Sequence, residues 1–105
     1  MNIGLDFDNT ITADPELFHM FIVNSRLRGH DIRIVTCRSE EYGLDEVYEY
    51  ASKFTPELPV IHTAGYEKHD YCIKYHDFPV DVWVDDNPHW VGTRDKDEWH
   101  VKPVE

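Results

Sequence analysis

Short apolar runs alternate along this chain with stretches whose apolar residues recur at helical spacing. Residues 3–7 read as a strand that enters a polar turn at Asp8, Asn9 and Thr10. Asp14 followed by Pro15 has the form of a helix N-cap with proline at the first helical position, where a missing N–H costs nothing. That helix runs through Leu17, Phe18, Phe21, Ile22 and Ser25 and stops at Gly29. Residues 32–35 form a second strand closing on Thr36. Leu44, Val47, Tyr48 and Ala51 fall at i, i+3, i+4 and i+7, one buried face of a second helix. Asp45, Glu46, Glu49 and Lys53 take its wet side, and Pro56 and Pro59 end it. Residues 60–63 are a third strand, and residues 65–76 a third helix with Cys72 and either Tyr71 or Tyr75 facing inward. Residues 80–84 are a fourth strand, stopping at Asp85 and Asp86, and an edge strand is expected around residues 99–101. Strands alternating with helices predict an α/β domain with a mostly parallel sheet.

Composition narrows the function. At 105 residues the chain holds one domain, residues 1–105, without repeats or a linker. Ten Lys and Arg face twenty-one Asp and Glu, a formal net charge of -11. That sign makes nucleic acid an unfavourable partner and disfavours an anionic membrane face, since phosphates attract Lys and Arg. It leaves room for a small phosphorylated substrate, which needs only a local positive site. No apolar run nears the roughly 20 residues that span a bilayer. The first residues lack the basic and apolar regions of a signal peptide. Cys37 and Cys72 form no CxxC pair, so reduced thiols and a cytoplasmic location are expected.

Three of the expected strands finish on polar residues that can meet: Asp6 and Asp8, Thr36, and Asp85 with Asp86. In open parallel sheets ligands sit at the carboxyl ends of strands, where the connection order reverses. Carboxylates gathered there repel one another unless a cation sits among them, and hard oxygen donors suit Mg²⁺ better than zinc or iron. A lysine at the same edge is the natural partner of an anionic substrate oxygen. Lys68, expected at a helix start, is better situated for this than Lys74 in mid-helix. Arg38, two residues after Thr36, reads equally as a substrate contact or a salt bridge, and Trp90 as core or rim.

The strand running into Asp6-Phe7-Asp8-Asn9-Thr10 resembles the first motif of the haloacid dehalogenase superfamily of phosphotransferases, D-x-D-x-T. Thr36 is similar to its second motif, Lys68 to its third, and Asp85-Asp86 to the double-aspartate form of its fourth. The resemblance spans about residues 2–90. It implies a three-layer sandwich around a Rossmann-like sheet and a Mg²⁺-dependent phosphomonoester hydrolase. Asp6 is then the nucleophile, forming an aspartyl-phosphate, and Asp8 the general acid and base. Asp6, the Asp8 carbonyl and Asp86 hold the metal, with Asp85 behind them orienting Lys68 or a metal-bound water. Thr36 and Lys68 hold the phosphoryl oxygens. No segment is long enough for a cap domain. Capless relatives act on large substrates that cover the site themselves, or form homo-oligomers in which a neighbour serves as lid.

Other readings fit less well. A calcium loop starting at Asp6 needs Gly where Ile11 stands and Glu where Leu17 stands. A receiver-type signalling module needs an acid at the end of the third strand, where the chain has His62-Thr63. A closed zinc site finds no paired histidines, His69 and His76 being seven apart. The remaining alternative is a non-enzymatic module that keeps the fold to bind phosphate or Mg²⁺.

Overall fold

A computed structural model describes residues 1–92 of the chain. Four strands, β1 (Asn2–Leu5), β2 (Asp31–Thr36), β3 (Val60–His62) and β4 (Val82–Val84), form one all-parallel sheet in the order β3-β2-β1-β4. The helices are α1 (Pro15–Leu27), α2 (Asp45–Ala51), α3 (Lys68–His76) and the short α4 (Pro88–Val91). The chain steps outward from β1 through α1 to β2 and through α2 to β3. Then α3 carries it back across the sheet to lay β4 on the free side of β1. The direction of travel therefore reverses between β1 and β4, and a crevice opens beyond their carboxyl ends.

Pleating divides the core between two faces. Ile3, Leu5, Ile32 and Ile34 meet Ile22 of α1 and Val47 and Ala51 of α2. Val35 and Ile61 join Cys72 of α3 and Phe78 in a second cluster. A sheet with helices packed over two faces needs strands that are apolar in near-continuous runs, as β2 is after Arg33. Trp83 is expected inside a strand covered on both faces, but it is half-buried, because β4 is an outer strand among the described residues. Its ring lies on Gly4, where a Cβ would come 2.6 Å from Trp83 Cζ3; glycine is what lets the indole approach the backbone.

Helix α1 starts as its sequence predicts: the Asp14 carboxylate accepts the Leu17 N–H at 3.2 Å and Pro15 opens the first turn. Its buried residues are Ile22 and Ser25, with Phe18 and Phe21 partly covered, and Leu17 is exposed. On α2 the inner face is rotated from the expected one. Tyr48 points to solvent, and Tyr50 is buried instead. Its ring meets Phe7 and Phe54 edge-on, and its hydroxyl donates to the Pro15 carbonyl at 3.1 Å. On α3, Tyr71 packs inward and Tyr75 does not. Helix α4 is absent from the sequence expectation, and the strand expected around residues 99–101 lies outside the described residues. Among the described residues no helix is long and apolar enough to cross a membrane.

Candidate active site

Asp6 follows the last residue of β1, and its N–H donates to the Val84 carbonyl at 2.9 Å, so the ends of β1 and β4 stay in step. The chain then turns sharply. Asn9 takes a left-handed conformation (φ +62°), which asparagine tolerates better than most residues, and its N–H donates to Thr12 Oγ1 at 2.8 Å. This turn folds Thr10 back beneath the acids: its buried hydroxyl lies 3.1 Å from Asp6 Oδ2 and 3.4 Å from Asp86 Oδ1. The Asp86 N–H also donates to Thr10 Oγ1 at 3.3 Å. Thr10 thus ties the end of β1 to the residues after β4.

Lys68, the first residue of α3, is buried, and its Nζ donates to Asp6 Oδ1 at 2.8 Å and Asp85 Oδ2 at 2.6 Å. Lys74 sits on the exposed side of α3 with its Nζ over the Tyr75 ring, so the lysine that reaches the acids is Lys68. The other oxygen of Asp85 accepts the Asn87 N–H at 2.9 Å. Burial pushes the Asp6 carboxyl up to about 6, against the opposing pull of Lys68. Burial alone would lower the Lys68 ammonium, but Asp6 and Asp85 outweigh it and hold the lysine charged.

Asp8 has a different partner. Arg38 Nη2 donates to Asp8 Oδ1 at 2.7 Å and Nε to Oδ2 at 2.9 Å, a two-pronged pair. Nη1 holds the Gly43 carbonyl at 3.0 Å and lies 3.4 Å from Glu46 Oε1. The guanidinium lies over the Phe7 and Tyr42 rings, its Cζ 5.4 and 5.2 Å from their centroids. Hydrogen bonding from Arg38 holds the Asp8 carboxyl below its usual range, so Asp8 is ionised here. Of the two readings of Arg38, the salt bridge is the one present.

Thr36 is the last residue of β2. It is fully buried, and its Oγ1 accepts the Arg38 N–H at 3.3 Å. Cys37, not Thr36, lines the acid pocket. Burial raises the Cys37 thiol, which suits a neutral wall rather than a nucleophile. Beyond the end of β2 the ladder to β3 continues through the loops: Thr63, Ala64 and Gly65 donate to the carbonyls of Thr36, Arg38 and Cys37 respectively. Ala64 (φ +52°) and Gly65 (φ +87°) both adopt left-handed backbone to do so.

Asp6, Asp85 and Asp86 each bring a carboxylate oxygen to within 4.8 Å of the others. Together with Asp8 they make four carboxylates against two cations, Lys68 and Arg38, leaving two formal negative charges when all are ionised. Hard oxygen donors with that residual charge fit a divalent cation such as Mg²⁺. The acids line a pocket of about 170 Å³ with Trp90 at its rim. Asp8, Asn9 and Cys37 form its boundary with a wider groove of about 610 Å³, walled by Arg38, Ser39 and Tyr42. Thr10, Cys37 and Tyr42 are absent from the expected site. Only Thr10 carried a sequence signal, as the last residue of D-x-D-x-T. Comparison with protein-family models, with curated proteins and with solved structures found no match.

Proposed function

We propose that the chain is a Mg²⁺-dependent phosphomonoester hydrolase of haloacid dehalogenase type, its three-layer α/β core carrying no cap. The observation that supports this most is the convergence of Asp6, Lys68, Asp85 and Asp86 at the reversal point between β1 and β4. A nucleophilic carboxylate needs a neighbouring cation to receive a dianionic phosphoryl group, and Lys68 stands 2.8 Å from Asp6.

In this reading an Asp6 oxygen attacks phosphorus, forming a phosphorus–oxygen bond as the bond to the leaving alcohol breaks. Asp8 delivers its proton to that alcohol. Water then attacks phosphorus, Asp8 takes the water proton, the Asp6–phosphorus bond breaks and inorganic phosphate leaves. Asp6, the Asp8 carbonyl and Asp86 would hold Mg²⁺, which would neutralise charge on the phosphoryl oxygens. Lys68 orients the same oxygens, and Asp85 holds Lys68 toward them. Asp8 must leave its pair with Arg38 to carry a proton, whereas its ionised form is already suited to accepting one from water.

That pair also favours a second reading, a module that binds phosphate and Mg²⁺ without turning over. Phosphate release from an aryl phosphate and a panel of phosphomonoesters, with Mg²⁺ and with chelator, separates the two. Hydrolysis that needs both Mg²⁺ and Asp6 is expected, with Asp6→Asn reducing kcat by at least about 10⁴-fold, the scale of losing a nucleophile. Mg²⁺ binding without hydrolysis of any ester supports the module, and hydrolysis surviving Asp6→Asn overturns the mechanism.

A further inference from the structure

The larger groove lies on the far side of Asp8 from the acids. It shares Asp8, Asn9 and Cys37 with the acid pocket, so a molecule whose phosphate sits against Asp6 and Lys68 has this groove as the place for the rest of its body. Tyr42 stands in its wall three-quarters exposed. The ring is not loose. One side faces the Arg38 guanidinium, which Asp8, Gly43 and Glu46 hold in turn, and the Tyr42 N–H is fixed on the Ser39 carbonyl at 3.1 Å. Tyr42 lines the groove, and the exposed part of its ring is a platform on which a planar ring can stack.

The spacing constrains what that ring is attached to. Arg38 touches Asp8 with Nη2 and lies under Tyr42 with Cζ, so a whole guanidinium separates the proton-carrying acid from the platform. A ring bonded directly to the leaving oxygen, as in a tyrosyl phosphate, would lie beside Asp8 and fall short of Tyr42. A sugar between phosphate and ring spans the gap. Charge restricts the groove further. The cation in its wall is already paired, and Glu40 and Glu41 directly precede Tyr42 on the exposed loop, so among the described residues lining the groove a second phosphate on the leaving group meets no free positive partner.

The geometry points to a nucleoside monophosphate as the substrate, its phosphate in the acid pocket and its base stacked on Tyr42. This rests on the phosphatase reading for the reaction, but the binding it requires can be measured separately. Calorimetric titration of the Asp6→Asn protein with Mg²⁺ present compares adenosine 5′-monophosphate with ribose 5-phosphate, which has the same leaving alcohol and no base. The nucleotide is expected to bind about tenfold more tightly, the scale of one base–aromatic stack. Adding Tyr42→Ala should erase the difference, Tyr42→Phe should keep it, and ribose 5-phosphate should bind all three proteins alike. Adenosine diphosphate should bind more weakly than the monophosphate. Equal affinity for nucleotide and sugar phosphate, binding by neither, or tighter binding of a phosphotyrosyl peptide overturns the inference. Failure of the wild-type protein to hydrolyse any ester counts against the phosphatase reading alone, since the titration does not depend on turnover.

Discussion

Asp6 and Asp8 are two residues apart, each faces a cation, and their environments drive them in opposite directions. Asp6 meets Lys68 in a dry site where burial prevails, and its carboxyl rises to about 6. Asp8 meets Arg38 at the half-open edge, where two hydrogen bonds outweigh a smaller burial cost and its carboxyl falls. A cationic partner does not therefore fix the sign of a shift; the water removed around the pair does. One strand end thus supplies both an acid that holds its proton up to about pH 6 and an acid that gives its proton up more readily than usual.

The comparison breaks most completely at Lys68. Lys68→Met leaves Asp6 and Asp85 facing each other in a buried site, and urea unfolding near neutral pH should show a loss of about 3–5 kcal/mol. Next comes the cation. With its folded value about 6 against an ordinary 3.8, Asp6 favours the folded state while protonated, and that contribution disappears as pH rises from about 4 through 6. Mg²⁺ binding to ionised Asp6 should therefore raise the melting temperature more at about pH 7.5 than near pH 5. At tenfold excess over its Kd the gain is about 1.4 kcal/mol. No response to Mg²⁺ at either pH would contradict the cation site.

Arg38→Gln should cost less, about 1 kcal/mol near neutrality, because the Asp8 side chain is 41% exposed and water screens the pair. Its sign with pH is opposite to that of Asp6. A depressed carboxyl stabilises the fold above its ordinary value and ceases to do so as pH falls through the depressed one. The deficit of Arg38→Gln should accordingly shrink as pH falls below the ordinary carboxyl value of 3.8, in urea unfolding repeated across the acid range. The smallest expected change is at Ala64, whose left-handed backbone carries the N–H that holds the Arg38 carbonyl. Ala64→Gly should stabilise the protein by about 0.5 kcal/mol, relief of strain less the extra entropy of glycine in the unfolded chain.

The four strands, the cap at Asp14 and the acids at the ends of β1 and β4 were legible in the sequence, because each is a local pattern of apolar run, cap or strand end. The face of α2 was not. Counting from Leu44 selects Tyr48, but the aromatic neighbours that decide the matter are Phe7 and Phe54, and Phe7 is distant in sequence. Four-residue α4 is too short to show a period. The Arg38–Asp8 pair joins positions thirty apart, which no spacing rule connects, and Thr36 reads the same in sequence whether its hydroxyl faces a pocket or a neighbouring N–H.

The bond from the Asp6 N–H to the Val84 carbonyl also bears on the order of assembly. During synthesis β1 can pair with β2 once α1 has been made, yet among the described residues its other edge has no partner until nearly eighty residues beyond β1 have been made. Loop closure over that distance is slow, and a nascent chain halted before β4 carries Asp6 and Asp8 without Asp85 and Asp86. The carboxylates are brought together, and their repulsion is incurred, only when β4 docks. A divalent cation can therefore reward the finished sheet but cannot capture a half-built one.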